Sequence, residues 1–513
     1  MMLQSISYPL LTGVTVTLLV LLLSYFTAFV RAIGSWTTWC NDVRHLRSMP
    51  SPPRRWLWGN ILELGPSLKS LYYMQDYHVK YPKWCVYWIG PFIPFVFTAD
   101  VEIMKTLLQQ SGELPKPKVY KFLHKWLGLG LLFSDGAKWR RHRKMLTPAF
   151  HFDILKQYLP VYNEVSHKLV EVWSGLADSG ESVEITEYLH SYTLDVLLRC
   201  MYSSNSNCLE KKEKVPYLVA IKQLTCLLME RPNFLGSNPL HFFDWIYFNT
   251  PAGRQFLHYS DVVHKFSEGV IVQRREQILK TSPESQTTRK FKDFLDILLS
   301  AKDENGEGLT DTEIREEVDT FMFAGHDTTA SALGWTLYCL AMYKKHQEMC
   351  RKEIREVLAS RDYITWEDLS KLSYTTMCIK ESLRLYPLVS FTAKLLSEDF
   401  VSSGQRIPKG SWVGLGIHTM HHDPLVWNDP EKYDPLRFST EETKKMNPFA
   451  FLTFSAGPRN CIGQRFAMQE LQVTIAYIVN KFLLEVDTTH IVEPYFHAIF
   501  KSKTGIKLKL TSM

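Results

Sequence analysis

The chain lacks several features that mark common classes of protein. Its nine cysteines form no CxxC pair and follow no regular spacing, which argues against a disulfide scaffold or a zinc site. A net charge of +6 over 513 residues is too small to indicate binding to nucleic acid. No internal repeat and no interdomain linker occurs after about residue 60. We therefore expect one large folded unit over residues 60–513, in reducing surroundings and with no nucleic-acid partner.

The N-terminus differs from the rest in being strongly apolar. Residues Leu10 to Val30 carry no charge and are long enough to cross a bilayer. A cleaved signal peptide is the alternative, but no basic residue precedes the run and no clear small-residue cleavage site follows it. Arginines lie after the run, so the positive-inside rule places the body in the cytosol. We expect a lumenal tip and transmembrane anchor over residues 1–33, and a basic, proline-rich hinge over residues 34–59.

Most of the remaining chain has helical periodicity, so the predicted fold class is mainly α with a small β part. Strand-like patterns are confined to Cys85 to Thr98, Trp412 to Ile417 and Ile506 to Leu510. Ser282 to Lys290 is polar and non-periodic, which predicts a surface loop. Large apolar residues crowd Asn238 to Pro251. Such clusters are usually core, but beside an anchor this one also suits a roof over a substrate pocket that touches the membrane surface.

One loop, Phe454 to Gly463, reads Phe-Ser-Ala-Gly-Pro-Arg-Asn-Cys-Ile-Gly. It offers the thiolate of Cys461 just before a helix-forming run, where backbone N–H groups favour the charged sulfur. Its glycines permit a tight turn and a close approach of a flat ligand, and Arg459 can pair with an acidic group on that ligand. A lone cysteine is more often a small buried hydrophobe. A thiolate with a flat acidic ligand suggests haem.

The full spacing of this loop resembles the haem loop of the cytochromes P450. The match holds at each signature position: Phe454, Gly457, Arg459, Cys461, Gly463 and Ala467. The resemblance implies the cytochrome P450 fold with an N-terminal transmembrane helix, and haem b as cofactor. It also implies that Cys461 is the axial iron ligand, whose electron donation favours O–O cleavage.

A second segment lies in a long predicted helix that begins with a capping box at Thr310 and Glu313 and runs to about Lys344. Gly325, Asp327 and their threonine neighbours break helix rules in its middle. A widened turn with room for dioxygen and an ordinary kink are both compatible with this pattern. The stretch Ala324-Gly-His-Asp-Thr-Thr329 resembles the oxygen-activation segment of the same family. The resemblance implies that Asp327 and Thr328 deliver protons during oxygen activation.

The longer stretch Glu317 to Thr329 narrows the resemblance to family four, whose members hydroxylate fatty acids and related lipids, often at the chain end. Many of these members carry a glutamate, esterified to the haem, where this chain has Ala324. Alanine cannot form that ester, so we expect non-covalent haem. Without the ester, oxidation need not be confined to the terminal (ω) carbon of the substrate. In-chain oxidation becomes more plausible.

Further positions gain roles from the same resemblance. Trp139 and Arg143 match a WxxxR pair that contacts a haem propionate. Lys394 stands where many relatives have a propionate-binding arginine, and a lysine lacks the planar fork of that arginine. Phe391 and Thr392 are candidates for the substrate pocket by position.

Glu381 and Arg384, three residues apart on a predicted helix, resemble the family's ExxR motif. By itself such a pair is usually a solvated contact. With Arg437 it would instead form a buried structural network that holds the cysteine loop.

A basic cluster surrounds the WxxxR pair, at Lys138, Arg140, Arg141, Arg143 and Lys144. It is either a solvated face or a docking surface for an acidic flavoprotein reductase.

We thus expect a haem-thiolate monooxygenase that hydroxylates fatty acids or related lipids at or near the ω carbon. Electrons would come from NADPH through a reductase, with a small electron-transfer haem protein as a second donor. The resemblance implies single-pass anchoring in the endoplasmic reticulum membrane, with the catalytic domain cytosolic. A lipid-peroxide isomerase or dehydratase would share Cys461 but have little use for Asp327 and Thr328. A non-catalytic haem sensor is the remaining alternative.

Overall fold

The computed structural model describes residues 39–65, 67–110, 114–177, 179–205, 207–210, 215–237, 239–280, 293–496 and 498–513. The predicted anchor and the predicted loop Ser282 to Lys290 lie outside these residues. Among the residues that the structure describes, no helix is long and apolar enough to cross a membrane.

The described chain is mostly helical, which confirms the predicted fold class. A helical segment at 39–47 precedes the first complete helix, and 3-10 turns lie at Lys118–Leu123, Thr147–Phe150, Pro239–Phe242 and Pro435–Phe438. The α-helices are α1 (Leu68–Lys80), α2 (Val101–Gln109), α3 (His124–Leu127), α4 (Gly136–Leu146), α5 (Phe152–Ser174), α6 (Ile185–Tyr202), α7 (Pro216–Ser237), α8 (Asp244–Tyr247), α9 (Pro251–Lys280), α10 (Phe294–Ser300), α11 (Asp311–Met342), α12 (Lys344–Leu358), α13 (Trp366–Leu369), α14 (Ser373–Leu385), α15 (Ile417–His421), α16 (Thr440–Lys445) and α17 (Gln464–Lys481).

The strands are short and form four small sheets. They are β1 (Cys85–Ile89), β2 (Ile93–Thr98), β3 (Ser182–Glu184), β4 (Phe391–Leu395), β5 (Phe400–Ser402), β6 (Gln405–Ile407), β7 (Trp412–Gly416), β8 (Phe482–Val486), β9 (Pro494–Phe496), β10 (Phe500–Ser502) and β11 (Lys507–Ser512). The largest sheet has the order β1-β2-β7-β4, with β2 and β7 parallel and the other pairs antiparallel. A second sheet has the order β3-β11-β8, and β9-β10 and β5-β6 are two-stranded. All three predicted strand regions contain strands. The prediction that strands are confined to these regions is wrong, because β3 to β6 and β8 to β10 lie elsewhere.

Helix α11 runs through the centre of the molecule. Its capping box is present, since Glu313 N–H donates to Thr310 Oγ1 at 3.2 Å and Thr310 N–H donates to Glu313 Oε2 at 3.0 Å. From residue 317 onward most of its residues are buried, because α6, α14, α17 and β8 pack around it. A helix in this position must bury whatever polar residues it carries.

The proline-rich segment that was predicted as a hinge is hydrogen-bonded to the first sheet. Asn60 Nδ2 donates to Pro53 O at 2.9 Å, and its Oδ1 accepts from Trp88 N–H at 3.0 Å. Val86 N–H also donates to Pro50 O at 2.8 Å. The proline-rich segment therefore lies against β1.

A buried ionic cluster joins α9 to α10. Arg274 is 3% exposed and donates to both oxygens of Asp296, at 2.9 and 2.7 Å, and to Asp293 Oδ2 at 2.8 Å. Burial, and next the charge of Asp296, raise the pKa of Asp293 to about 6. The guanidinium is therefore the cation on which two buried carboxyl groups depend.

Replacing Arg274 by Met should lower the free energy of unfolding by about 3–5 kcal/mol, because it leaves these carboxyl groups without a cation. Arg275→Met is the matched control: this side chain is 42% exposed and pairs with Asp311, which is 82% exposed. Loss of such a surface pair should cost below about 1 kcal/mol. Urea unfolding followed by circular dichroism measures both, and equal losses would contradict the assignment.

Candidate active site

The cysteine loop lies between the end of α2 and the start of α17. Cys461 N–H donates to Phe454 O at 2.9 Å, and Asn460 N–H donates to Gly457 O at 3.1 Å. Gly457 has a φ of +73°, and a Cβ there would lie 2.1 Å from Leu108 O. Only glycine fits this turn, which folds the loop tightly under α2.

The Cys461 side chain is exposed, although protein surrounds it closely enough that burial raises the pKa of its thiol. The Gly463 N–H and the charge of Arg143 act in the opposite direction. A Cβ at Gly463 would meet only Phe150, at an ordinary 3.8 Å, so no protein atom nearby requires glycine there. An accessible sulfur beside the open space at Gly463 suits a metal held in a planar ligand.

The predicted WxxxR pair and the cysteine loop interlock. Arg143 donates to Asn460 O at 3.0 Å and to Asn460 Oδ1 at 2.8 Å. Arg459 donates to Ser134 O and to Asp135 Oδ1, both at 2.9 Å, and lies 4.4 Å over the Trp139 ring. Arg143 thus binds the loop one residue before Cys461, and Arg459 connects the loop to the start of α4.

Two lysines lie close to Arg459. Burial, and next the charge of the neighbouring cations, lower the pKa of Lys116 to about 7 and that of Lys394 to about 8, while Asp135 acts in the opposite direction. Within the described part of the chain, neither ammonium group donates a hydrogen bond or forms an ion pair. Asp135 is the carboxylate that offsets this cluster, and it is 37% exposed.

This excess of positive charge is the electrostatic signature of a site for a dianion, and haem b carries two propionates. The residues present therefore fit the cofactor: a thiol for the iron on one side and uncompensated cations for the carboxylates. Lys394 was predicted from the sequence. Lys116 was not, because no local pattern separates it from the other lysines around it.

The predicted oxygen-activation turn lies on α11. Ala324, Gly325 and Thr328 are half-buried, whereas Asp327 and its neighbours His326 and Thr329 are buried. The chain is α-helix through this turn, so the widened turn that the sequence left open is not present there. The Thr328 and Thr329 hydroxyls donate to the carbonyls of Ala324 and Gly325, at 2.7 and 2.8 Å, without displacing backbone N–H groups.

Gly325 has a packing role that the sequence did not reveal. A Cβ at this position would lie 2.6 Å from Leu197 Cδ1 on α6. The glycine thus lets α6 approach α11 closely beside the site.

Asp327 is fully buried and faces α6 and β10. Its Oδ1 accepts from His190 Nε2 at 3.1 Å and from Lys501 Nζ at 2.5 Å. Burial alone would raise the pKa of Asp327, but Lys501 and His190 hold it well below its usual range. These partners lie 137 and 174 residues away in the chain, so no sequence motif could indicate them.

Glu381, Arg384 and Arg437 lie together and are largely buried. Arg384 donates to Glu381 at 2.8 and 2.9 Å, and Arg437 Nε lies 3.3 Å from Glu381 Oε1. Arg384 also donates to His421 O at 2.7 Å, and His421 Nε2 accepts from Leu452 N–H at 3.1 Å. This chain of bonds reaches the residues just before the cysteine loop, and His421 is a member that sequence reasoning missed.

The basic cluster on α4 is largely paired with acids of the same chain. Lys138 contacts Glu316 at 3.5 Å, Arg141 contacts Asp303 at 2.6 Å and Lys144 contacts Glu304 at 2.5 Å. Much of the charge inferred from the sequence is thus compensated at the surface.

His142, to which the sequence assigned no role, joins α4 to α11. Its side chain is fully buried, with Nδ1 2.6 Å from Glu317 Oε1 and Nε2 3.3 Å from Glu313 Oε1. The two ring nitrogens of His142 thus each face a carboxylate of α11.

Comparisons with known proteins agree with this geometry. The family model described as "Cytochrome P450" matches residues 49–510. Leukotriene-B4 omega-hydroxylase 3 of Mus musculus is 42% identical over 454 residues, covering 86% of each chain. Cytochrome P450 4F2 of Homo sapiens is 41% identical over 483 residues, covering 92% of each chain. The ultra-long-chain fatty acid omega-hydroxylase of Homo sapiens is 41% identical over 500 residues, covering 94% of this chain and 91% of that protein.

A match of this extent leaves no part of the site outside the shared region, and the accessible thiol of Cys461 lies within it. The chain belongs to the cytochrome P450 family, within family four, and is a haem-thiolate monooxygenase.

Proposed function

We propose that the chain hydroxylates fatty acids or related lipids at or near the ω carbon, with dioxygen and electrons from NADPH. The observation that carries the proposal is the accessible thiol of Cys461 beside three cations, Lys116, Lys394 and Arg459, that share the carboxylate of Asp135. The relatives named as omega-hydroxylases of leukotriene B4 and of ultra-long-chain fatty acids support the substrate class.

Bound haem b would supply oxygen binding and activation, and thiolate ligation favours O–O cleavage. Cys461 would ligate the iron, and Phe454 and Gly463 would line the loop beside it. The Arg143 bonds to Asn460 fix this loop, and Trp139 supports Arg459 by stacking. Lys116, Lys394 and Arg459 would hold the propionates.

On the other side of the haem, we assign Thr328 and Asp327 to proton supply. Thr328 is half-buried, on the same helix face as Ala324. Its hydroxyl donates to Ala324 O, and it must rotate away from this carbonyl to donate elsewhere. Asp327 stays ionised against Lys501, so its carboxylate can accept a hydrogen bond from a neighbouring proton donor and orient that donor.

The apolar segment around α8 suits a lipid substrate and a membrane surface. Leu240, Phe242, Phe243 and Trp245 are 43–72% exposed, whereas Tyr247 in the same segment is 1% exposed. The segment thus divides into an outward apolar surface and an inward packing residue. We assign the outward surface to the endoplasmic reticulum membrane, beside a single-pass anchor at 1–33 and a hinge at 34–59, with the catalytic domain 60–513 cytosolic.

We assign electron delivery to an NADPH-dependent flavoprotein reductase, with a small electron-transfer haem protein as a second donor. The α4 surface remains the proposed docking face. Because Lys138, Arg141 and Lys144 already contact acids of this chain, association should depend only mildly on salt.

Incubation of the full chain with reductase, NADPH, dioxygen and a panel of fatty acids should yield hydroxylated products. Mass spectrometry identifies the oxidised carbon, and a reaction without NADPH is the control. Rearrangement of a lipid peroxide without reductase would point to an isomerase, and haem binding with no turnover would point to a sensor.

Replacing Thr328 by Ala should lower product formed per NADPH on the order of tenfold and raise peroxide release, because a proton donor is lost. Thr329→Ala is the matched control, since its hydroxyl makes the same kind of back-bond but is buried away from the half-buried face. Oxygen consumption, peroxide and product are measured together. Unchanged coupling in Thr328→Ala would refute this role.

Acidified organic solvent should extract the haem completely from the wild-type protein, because Ala324 offers no carboxylate for an ester. Ala324→Glu should retain part of its haem after turnover, as relatives with glutamate at this position would. Chromatography with detection of haem absorbance measures both. Retention by the wild-type protein would contradict the inference.

A further inference from the structure

A cavity of about 460 Å³ lies between the proline-rich segment, α1 and β1, apart from the site described above. Three cations line it: Arg47 and Arg54 on the proline-rich side, and Lys80 at the end of α1. Among the described residues that line the cavity, none is acidic. The cavity therefore holds three positive charges and no negative one.

These three cations have no acidic partner in the part of the chain that the structure describes. All three side chains are exposed, so a ligand can reach them. Arg55 shows the contrast, since its Nε donates to Glu63 Oε1 at 3.2 Å. A neighbouring arginine of the same segment is thus paired, whereas the cations of the cavity are not.

Trp88 brings two of the cations together. The Cζ atoms of Arg47 and Arg54 lie 5.7 and 4.9 Å from the centroid of its ring. Trp88 is 0% exposed, yet its Nε1–H has no hydrogen-bond partner among the described residues. A buried indole N–H usually finds an acceptor. The wall of the cavity thus offers a spare donor beside two guanidinium groups, whose planar forks match the oxygens of a phosphate group.

The surroundings of the cavity are apolar and exposed. Trp56, two residues after Arg54, is 88% exposed, and Phe92 in the turn between β1 and β2 is 55% exposed. Arg47 joins the cavity to this turn, because its Nη2 donates to Pro91 O at 3.3 Å. Exposed aromatic side chains beside cations are typical of a surface at the level of the lipid headgroups. A soluble phosphate compound would give no reason for them.

The position of the cavity in the chain agrees with such a surface. Its lining begins at Arg47, so only residues 34–38 and the helical segment 39–47 separate it from the proposed anchor at 1–33. A chain of this length spans at most about 30 Å. The cavity is therefore kept close to the bilayer surface.

We propose that this cavity binds the phosphate group of an anionic phospholipid, held by Arg47, Arg54, Lys80 and the Trp88 N–H. The inference rests on the proposed membrane anchoring and does not depend on the hydroxylation reaction. It differs from a general attraction of basic residues to an anionic membrane, because only the cations that line the cavity contribute to it.

Two triple variants with the same change in net charge separate these explanations. The cavity variant is Arg47→Gln/Arg54→Gln/Lys80→Gln. The control variant is Arg44→Gln/Arg55→Gln/Lys83→Gln, whose side chains lie nearby in the chain but outside the cavity: Arg44 donates to Asn41, Arg55 to Glu63 and Lys83 to Asp100. The full chain in an uncharged detergent is titrated by calorimetry with short-chain phosphatidic acid, short-chain phosphatidylcholine and inorganic phosphate. Haem absorbance, recorded in parallel, shows whether a ligand enters the active site and whether each variant is folded.

We expect saturable binding of phosphatidic acid by the wild-type protein, with much weaker binding of phosphatidylcholine and of inorganic phosphate. The cavity variant should bind phosphatidic acid on the order of a hundredfold more weakly, and the control variant should match wild type. If the cavity variant fails to bind haem, Arg54→Gln against Arg55→Gln repeats the comparison, with an expected loss of about fivefold in the first alone.

Equal losses in the two variants would show a general attraction and would overturn the proposal. Inorganic phosphate binding as tightly as phosphatidic acid would overturn the assignment to lipid, and so would the absence of saturable binding. The measurement needs no turnover, so a failure of the wild-type protein to hydroxylate lipids would be a separate result.

Discussion

The compensation of charge buried along α11 is the constraint on which the rest of the structure depends. Glu317, Asp319 and Asp327 are all 0% exposed on this one helix. Each takes a partner from a different place: Glu317 contacts His142 on α4, Asp319 contacts Arg315 one turn earlier, and Asp327 contacts Lys501 on β10. An uncompensated buried charge costs several kcal/mol. These pairs therefore fix where α4 and the β9-β10 sheet dock on α11.

The pairing of buried charges differs between the two sides of the site. On the α11 side, carboxylates meet cations within the chain. On the side of the cysteine loop, Lys116, Lys394 and Arg459 share one partly exposed carboxylate, Asp135. A ligand that brings negative charge would favour the protonated form of both lysines, so this cluster suits the carboxylates of the cofactor.

The parts predictable from sequence are those whose residues lie close together in the chain. The cysteine loop, the Ala324 to Thr329 turn and the pair Glu381 and Arg384 each span a few residues, and their spacing carries the chemistry. The mainly α class and the strand region Cys85 to Thr98 followed from periodicity, but the pairing of β1 with β2 within that region did not. The short strands of the other sheets did not, because pairing with distant partners stabilises them.

Roles that depend on contacts between residues distant in the chain could not be predicted from the sequence. His190, His421 and Lys501 gain their roles only when the fold brings them to Asp327 and Arg384. The widened turn left open at Gly325 is absent for a related reason. The glycine that breaks a helix rule is explained by Leu197 on α6, and the threonine hydroxyls bond back to carbonyls without opening the helix. A sequence shows the violation of a rule but not the neighbour that requires it.

Four buried atoms around α11 are a different kind of violation, because they have no hydrogen-bond partner among the described residues: Tyr217 OH, Asp319 Oδ1, His326 Nε2 and Asp327 Oδ2. Apolar side chains of similar volume would remove the cost of burying a phenol, an imidazole and the free oxygens of two carboxylates. Asp319 pairs with Arg315, and His326 Nδ1 bonds Met322 O, whereas packing alone gives no reason for Tyr217 to be polar at a position that is 0% exposed. Asp327 shows the distinction within one side chain: Oδ1 is saturated by two donors, which explains its position, and Oδ2 has no partner in the described part. The two donors on Oδ1 keep this buried carboxylate charged although burial alone would raise its pKa.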